Sequence, residues 1–215
     1  MLTEEIFEKL NQKFNMIPGP VSDYETFQMV GLDFTAKGYD SSEMGHVSLM
    51  KASGMGGAMQ MESMIVNPFF IDGPLFSLDL IVAQGKHTLL MELYDTLLTI
   101  PRNEAPFQAI KDKYDHIPNI PQKPCWYDDI HYHASIAKAA SDEQAEDLSA
   151  LIRAYSARYL DLLADAPSCE EAEKQIKANA YRDGLLSHGG PATDAFLQTW
   201  GTEKTGRLFT EVLFG

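Results

Sequence analysis

Between Tyr24 and Tyr94 apolar and polar residues alternate, and glycines interrupt the alternation at short intervals. The pattern recurs in Phe27-Gln28-Met29, Val47-Ser48-Leu49, Met59-Gln60-Met61 and Phe76-Ser77-Leu78-Asp79-Leu80. A period of two sends successive side chains to opposite faces, so each segment reads as a strand with one apolar face. The breaks fall at Gly54-Met55-Gly56-Gly57, Asp72-Gly73-Pro74 and Gln84-Gly85-Lys86-His87. A parallel crossover needs about a dozen residues or more, so links this short dictate an antiparallel meander.

Helical spacing flanks that sheet on both sides. Thr3 to Phe14 reads as an amphipathic helix ended by Pro18-Gly19-Pro20. From Ala105 the period lengthens, with Phe107, Ile110 and Tyr114 on one stripe, closed by the Pro-rich run Ile117 to Pro124. A strand-like piece is expected over roughly Ile130 to Ala137. The strongest helix carries Leu148, Leu151, Ile152, Tyr155, Tyr159, Leu162 and Leu163, starting after Ser141 and stopped by Pro167. Further helices carry Ile176 and Tyr181, then Phe196, Leu197 and Trp200, then Leu208, Phe209, Val212 and Leu213. Gly189-Gly190 ahead of Pro191 reads as a helix stop followed by a proline-initiated helix. An antiparallel sheet followed by helices fits a sheet held between helical layers.

At 215 residues and about 150 per domain, residues 1–215 form one unit with a core that needs no covalent staples. The balance of 17 basic against 31 acidic residues, a net charge of −14, argues against nucleic acid or an anionic membrane as partner. Cys125 and Cys169 are too few for a disulfide framework or a thiolate-only metal site, and read as reduced thiols. The first residues lack the apolar core of a signal peptide, and no run approaches the ~18 apolar residues of a membrane span. The expectation is a cytoplasmic protein.

The segment from Phe76 to Tyr94 carries the most chemistry. With Gly85-Lys86 as the central pair of a hairpin turn, Gln84 faces His87, Ala83 faces Thr88, Ile81 faces Leu90 and Asp79 faces Glu92. The other face pairs Leu80 with Met91 and Leu78 with Leu93, all apolar. Two carboxylates set across one pair of strands repel, and a proton held by one of them relieves the repulsion. A carboxyl so raised donates protons near neutral pH. The competing reading is a solvated face with two ordinary surface acids. Glu62 sits in the apolar run Met59 to Val66 as a third acid of the sheet, or as a surface ion pair with Lys51.

His131 and His133, two apart in Trp126-Tyr127-Asp128-Asp129-Ile130-His131-Tyr132-His133, share one side of the expected strand. Two imidazoles so placed meet one metal ion or line a pocket, but spacing offers no third ligand. The run Gly54 to Gly57 lacks the ending of a phosphate loop. The ten methionines, many between Met44 and Met64, are core filler or a soft lining for a large flat ligand.

Together these segments form a pattern. Val66-Asn67-Pro68 through Gly73-Pro74-Leu75-Phe76-Ser77-Leu78-Asp79-Leu80-Ile81 resembles the central motif of the ferredoxin-dependent bilin reductases. Leu90-Met91-Glu92-Leu93-Tyr94-Asp95 resembles the next strand of that family and of the related red chlorophyll catabolite reductases. Pro124-Cys125-Trp126 is similar to the Pro-Trp opening a later strand. Tyr181, Gly190-Pro191-Ala192-Thr193, Leu197, Trp200-Gly201 and Glu211-Val212-Leu213-Phe214-Gly215 complete the likeness, which runs from about Val66 to Gly215.

The resemblance implies an α+β chain, a three-layer α/β/α sandwich whose mainly antiparallel sheet and C-terminal helices enclose a linear tetrapyrrole. It implies no bound metal or flavin, single electrons from ferredoxin or flavodoxin, and protons from acidic and histidine side chains. Asp79 falls on the family's catalytic sheet aspartate. Glu62 stands near the family's upstream histidine, Met50 near a glutamate one strand earlier, and Gly190 near an aspartate ahead of the penultimate helix. The expected site is Asp79 as proton donor, Glu62 and Glu92 tuning or relaying, and Lys51, Met64, Ser77, Ile81, His131 and His133 lining the pocket. Arg102, Lys111 and Lys113 offer a basic patch for the electron donor. Two alternatives stand beside this: a tetrapyrrole or haem binder without catalysis, and a metal-dependent enzyme built on His131 and His133.

Overall fold

The computed structural model describes residues 1–20 and 22–215; the side chains of the motif residues 191 and 192 lie outside the described residues. Helix α1, Leu2–Phe14, leads into short strands β1, Ile17–Pro18, and β2, Phe27–Met29. The meander follows as β3, Leu32–Ser41; β4, Gly45–Gly54; β5, Met59–Pro68; β6, Leu75–Ala83; and β7, Lys86–Tyr94. Helix α2, Ala105–Lys113, strand β8, Ile136–Ser141, and helices α3, Ala145–Asp165, α4, Glu171–His188, and α5, Pro191–Leu208, complete the chain. A π-helical turn, Phe209–Leu213, continues α5. The eight strands form one sheet in the order β1-β3-β4-β5-β6-β7-β8, with β2 also on β3 and every pairing antiparallel.

Alternation in the strands builds two cores, one on each face. Val47, Leu49, Met64, Val66, Phe76, Leu78, Leu80, Leu89 and Met91 pack beneath Ile6, Leu10 and Phe14 of α1 and the leucine–tyrosine stripe of α3. Ala36, Met50, Ala52, Leu75 and Tyr94 pack on the other face against Tyr181 of α4, Phe196 of α5 and the turn from Phe209 to Leu213. The result is the α/β/α sandwich.

Buried polar side chains fasten the second helical layer. A helix end leaves carbonyls without intrahelical partners. Here His46 Nε2 meets the Val212 carbonyl at 2.8 Å, Ser48 Oγ donates to Leu213 O at 3.0 Å, and Asn67 Nδ2 donates to Phe214 O at 2.9 Å. Helix α4 is pinned by Lys174, fully buried, whose ammonium donates to the Gly73 and Thr96 carbonyls and to Asp72.

Two local expectations are corrected. The β6–β7 turn centres on Gln84-Gly85, both with positive φ (52° and 74°), the backbone of a type I′ hairpin that suits glycine. Ala83 therefore pairs with Lys86 rather than Thr88, and Ile81 with Thr88 rather than Leu90. Of the strand expected over roughly Ile130 to Ala137, residues 130–135 are loop. The amides of Ile130 and His131 turn back onto the Tyr127 carbonyl and that of Ser135 onto Tyr132, so β8 begins only at Ile136.

Candidate active site

Strand β6 presents Ser77, Asp79 and Ile81 to the face covered by α4 and α5, while Phe76, Leu78 and Leu80 fill the opposite core. With the turn at Gln84-Gly85, Asp79 lies across from Leu90 and Glu92 across from Ser77. The two acids are thus diagonal neighbours on one face, not a directly opposed pair. The displacement is even, so parity keeps both on the same side.

Asp79 belongs to a row that crosses four strands, Met50–Ser63–Asp79–Leu90. Burial pushes its carboxyl up to about 6, the Ser63 hydroxyl draws it back, and the Glu92 charge adds to the rise. Glu92 is provided for differently. Tyr94 donates its phenol to Glu92 Oε2 at 2.9 Å, and His131 Nε2 lies 3.3 Å from Oε1, within ion-pair range but outside hydrogen-bond geometry. Tyr94 itself packs on Tyr181 with ring centroids 4.1 Å apart and edge-on to Tyr127 at 5.5 Å. Burial raises the phenols of Tyr94, Tyr127 and Tyr181 above their ordinary value, so all three stay protonated donors.

Trp126 caps this aromatic cluster. Its ring contacts Tyr127 and Tyr181 and lies in a notch at Gly184 of α4, where a Cβ would come within 2.3 Å of the indole. Below it the loop is braced from α2 and its approach. The Arg102 guanidinium donates to the His131 carbonyl at 2.6 Å and lies over the Tyr132 ring, and Lys111 donates to the carbonyls of His133 and Ser135. These two cations are therefore engaged in holding the loop, and of the expected basic patch Lys113 alone stays exposed.

A cleft of about 330 Å³ opens between this loop and the β7–β8 edge, lined by Glu92, Lys111, Gln122, His131, His133 and Ala137 among others. That volume is at the low end for ligand sites. Asp79 is not part of its lining. Glu92 is the group that faces the cleft and also acts electrostatically on Asp79.

Asp79, Glu92, Ser77, Ile81 and His131 are thus brought together, with His133 on the cleft's exposed rim. Glu62, Lys51 and Met64 are not. All three project from the opposite face: Glu62 pairs across from Leu80, and parity gives the place beside Asp79 to Ser63. Glu62 Oε2 accepts from the Thr3 amide at 3.1 Å and the Thr3 hydroxyl at 2.7 Å, capping the first turn of α1. Lys51 pairs with Glu4 of the same helix, and Met64 is buried in the α1–α3 core. Nor do His131 and His133 gather a third ligand: among the described residues no group of three or more His, Cys, Asp or Glu is placed to hold a metal ion.

Sequence reasoning missed Ser63, Tyr94, Tyr127 and Tyr181 as members of the site. Ser63 was accessible, since it shares parity with Met61 and Ile65. The tyrosines meet only through tertiary contact.

No protein-family model and no curated protein matches this sequence. Among solved structures, the crystal structure of phytochromobilin synthase from tomato in complex with biliverdin matches with a TM-score of 0.79. The sequence identity is 13%, and the match covers 99% of this chain and 81% of that one. At that identity the likeness is one of fold: this chain has the fold of tomato phytochromobilin synthase, as the resemblance to the bilin reductases implies.

Proposed function

We propose that the protein binds a linear tetrapyrrole against the α4–α5 face of the sheet and reduces it. Two electrons arrive singly from ferredoxin or flavodoxin, and two protons accompany them, so one double bond of the bilin gains two hydrogens. Asp79 supplies the first proton and is left as the carboxylate; Glu92 tunes it. No resident cofactor enters the scheme, no nucleic acid or membrane partner is invoked, and the two free thiols fit a cytoplasmic setting. The observation that carries this reading is Asp79 itself, a sheet carboxyl raised to about 6 on the helix-covered face of a fold shared with a biliverdin-bound protein. A four-ring chain exceeds the present cleft, so on this reading the 126–135 loop yields to admit it.

A second reading, a tetrapyrrole binder without catalysis, draws support from the same row. Met50, next but one to Asp79 in that row, stands where the family resemblance leads one to expect a glutamate, and Glu62, which stands for the family's histidine, projects from the opposite face.

The test is spectroscopic. Biliverdin mixed with the protein is expected to shift and broaden its visible bands, and added reduced ferredoxin to bleach the bound spectrum. Asp79→Asn keeps the shape and removes the proton. It is expected to bind biliverdin as before and to turn over about 100-fold more slowly or worse. Wild-type turnover is expected to fall as pH rises through about 6. Binding without turnover favours the second reading; an unshifted biliverdin spectrum overturns both.

A further inference from the structure

Two carboxylates, Asp79 and Glu92, share one face of the sheet, and the structure treats them unequally. Glu92 receives a phenol hydrogen bond from Tyr94 on one oxygen and has the His131 ring beside the other. Asp79 has only Ser63 across the strand pair and otherwise apolar neighbours in its row. Donors aimed at a carboxylate stabilise its charged form, and two adjacent acids divide one proton according to which is better supplied.

We infer that Tyr94 and His131 are positioning residues that fix the Glu92 carboxyl between them and so leave Asp79 as the acid of the pair. Neither needs to touch the substrate. Tyr94 fixes the Glu92 carboxyl and cannot readily turn away, because its ring is packed between Tyr181 of α4 and Tyr127 of the loop. The titratable groups around the pair include Tyr94 on β7, Tyr181 on α4, Tyr127, Asp128, His131 and His133 of the loop, and Lys111 of α2 across the cleft. Lys111 is bound to two backbone carbonyls, and burial keeps the tyrosines neutral. The importance of this arrangement for turnover rests on Asp79 being the proton donor; its existence does not.

The experiment therefore uses the ligand-free protein. Side-chain carboxyl titrations, followed by carbon-13 NMR and assigned with Asp79→Asn and Glu92→Gln, are expected to show a higher midpoint that vanishes in D79N. In Tyr94→Phe the ring packing is retained and the phenol lost. The Asp79 midpoint is then expected to fall by about half a pH unit, roughly threefold in proton affinity. His131→Gln is expected to move it in the same direction and serves as the test should Tyr94→Phe fail to fold. Unchanged midpoints in a folded variant, or a higher midpoint that vanishes in E92Q instead, overturn the inference. Failure of the tetrapyrrole reading registers separately, as an unshifted biliverdin spectrum with these midpoints intact.

Discussion

Asp72, in the loop ahead of β6, and Asp79, within β6, are acids of one short segment with opposite fates. Burial would raise Asp72, but amides of Leu98, Thr99 and Ile100 and the Thr99 hydroxyl all donate to it, and its carboxyl falls well below the usual range. Lys174 completes the pairing, both side chains being wholly enclosed. Asp79, half-buried, is desolvated without such a shell and rises. Enclosure sets neither outcome by itself; the number of donors aimed at the oxygens does. One acid is thereby spent on architecture and the other left able to take up a proton near pH 6.

The sharpest way to break this contrast is at Lys174. Replacing it with Met leaves the Asp72 charge buried without its cation, and urea unfolding is expected to register a loss of about 3–5 kcal/mol. Because the folded-state pKa of Asp72 is depressed, its stabilisation is full above the unfolded value near 4 and is lost as pH falls below it. The Lys174→Met deficit should accordingly shrink in acid.

Asp79 carries the opposite sign. Its raised pKa means the unfolded chain releases the proton first, so stability declines as pH rises from about 4 to about 6. Asp79→Asn removes that penalty and is expected to stabilise the fold by about 1–3 kcal/mol at pH 8, with no gain below pH ~4. A smaller effect belongs to Glu62, a third acid with a capping role. Glu62→Ala is expected to cost about 1 kcal/mol in urea unfolding and to leave the Asp79 midpoint untouched. The smallest belongs to Ser63→Ala, which removes a donor from Asp79 and is expected to move its midpoint upward by a few tenths of a pH unit, read by NMR.

Much of this was legible beforehand because it depends on parity and period. The meander, the greasy face of Leu78 and Leu80, and the presence of Asp79 and Glu92 on a common face all survive a misjudged turn, since an even slip in register preserves facing. Partner identity does not survive it, and fixing the turn at Gly85-Lys86 rather than Gln84-Gly85 cost the direct Asp79–Glu92 opposition. An odd slip is worse: counting to Glu62 instead of Ser63 sent the third acid to the wrong side of the sheet. Residues 130–135 depart from the expected strand because their aromatic and histidine alternation satisfies strand spacing, while their conformation is dictated by Arg102, Lys111 and Glu104, which bond the backbone from elsewhere in the chain. Contacts of that range leave no local imprint.

The indole seated against Gly184 has a mechanical consequence. Trp126 is keyed to a single turn of α4, and Lys174 rivets the start of that helix to the floor near Asp72. Any swing of the loop away from the sheet must either withdraw the key or carry the helix with it, pivoting about the riveted end. Gly184→Ala jams the keyhole, because an added Cβ would meet the indole at 2.3 Å and force the ring out of its notch.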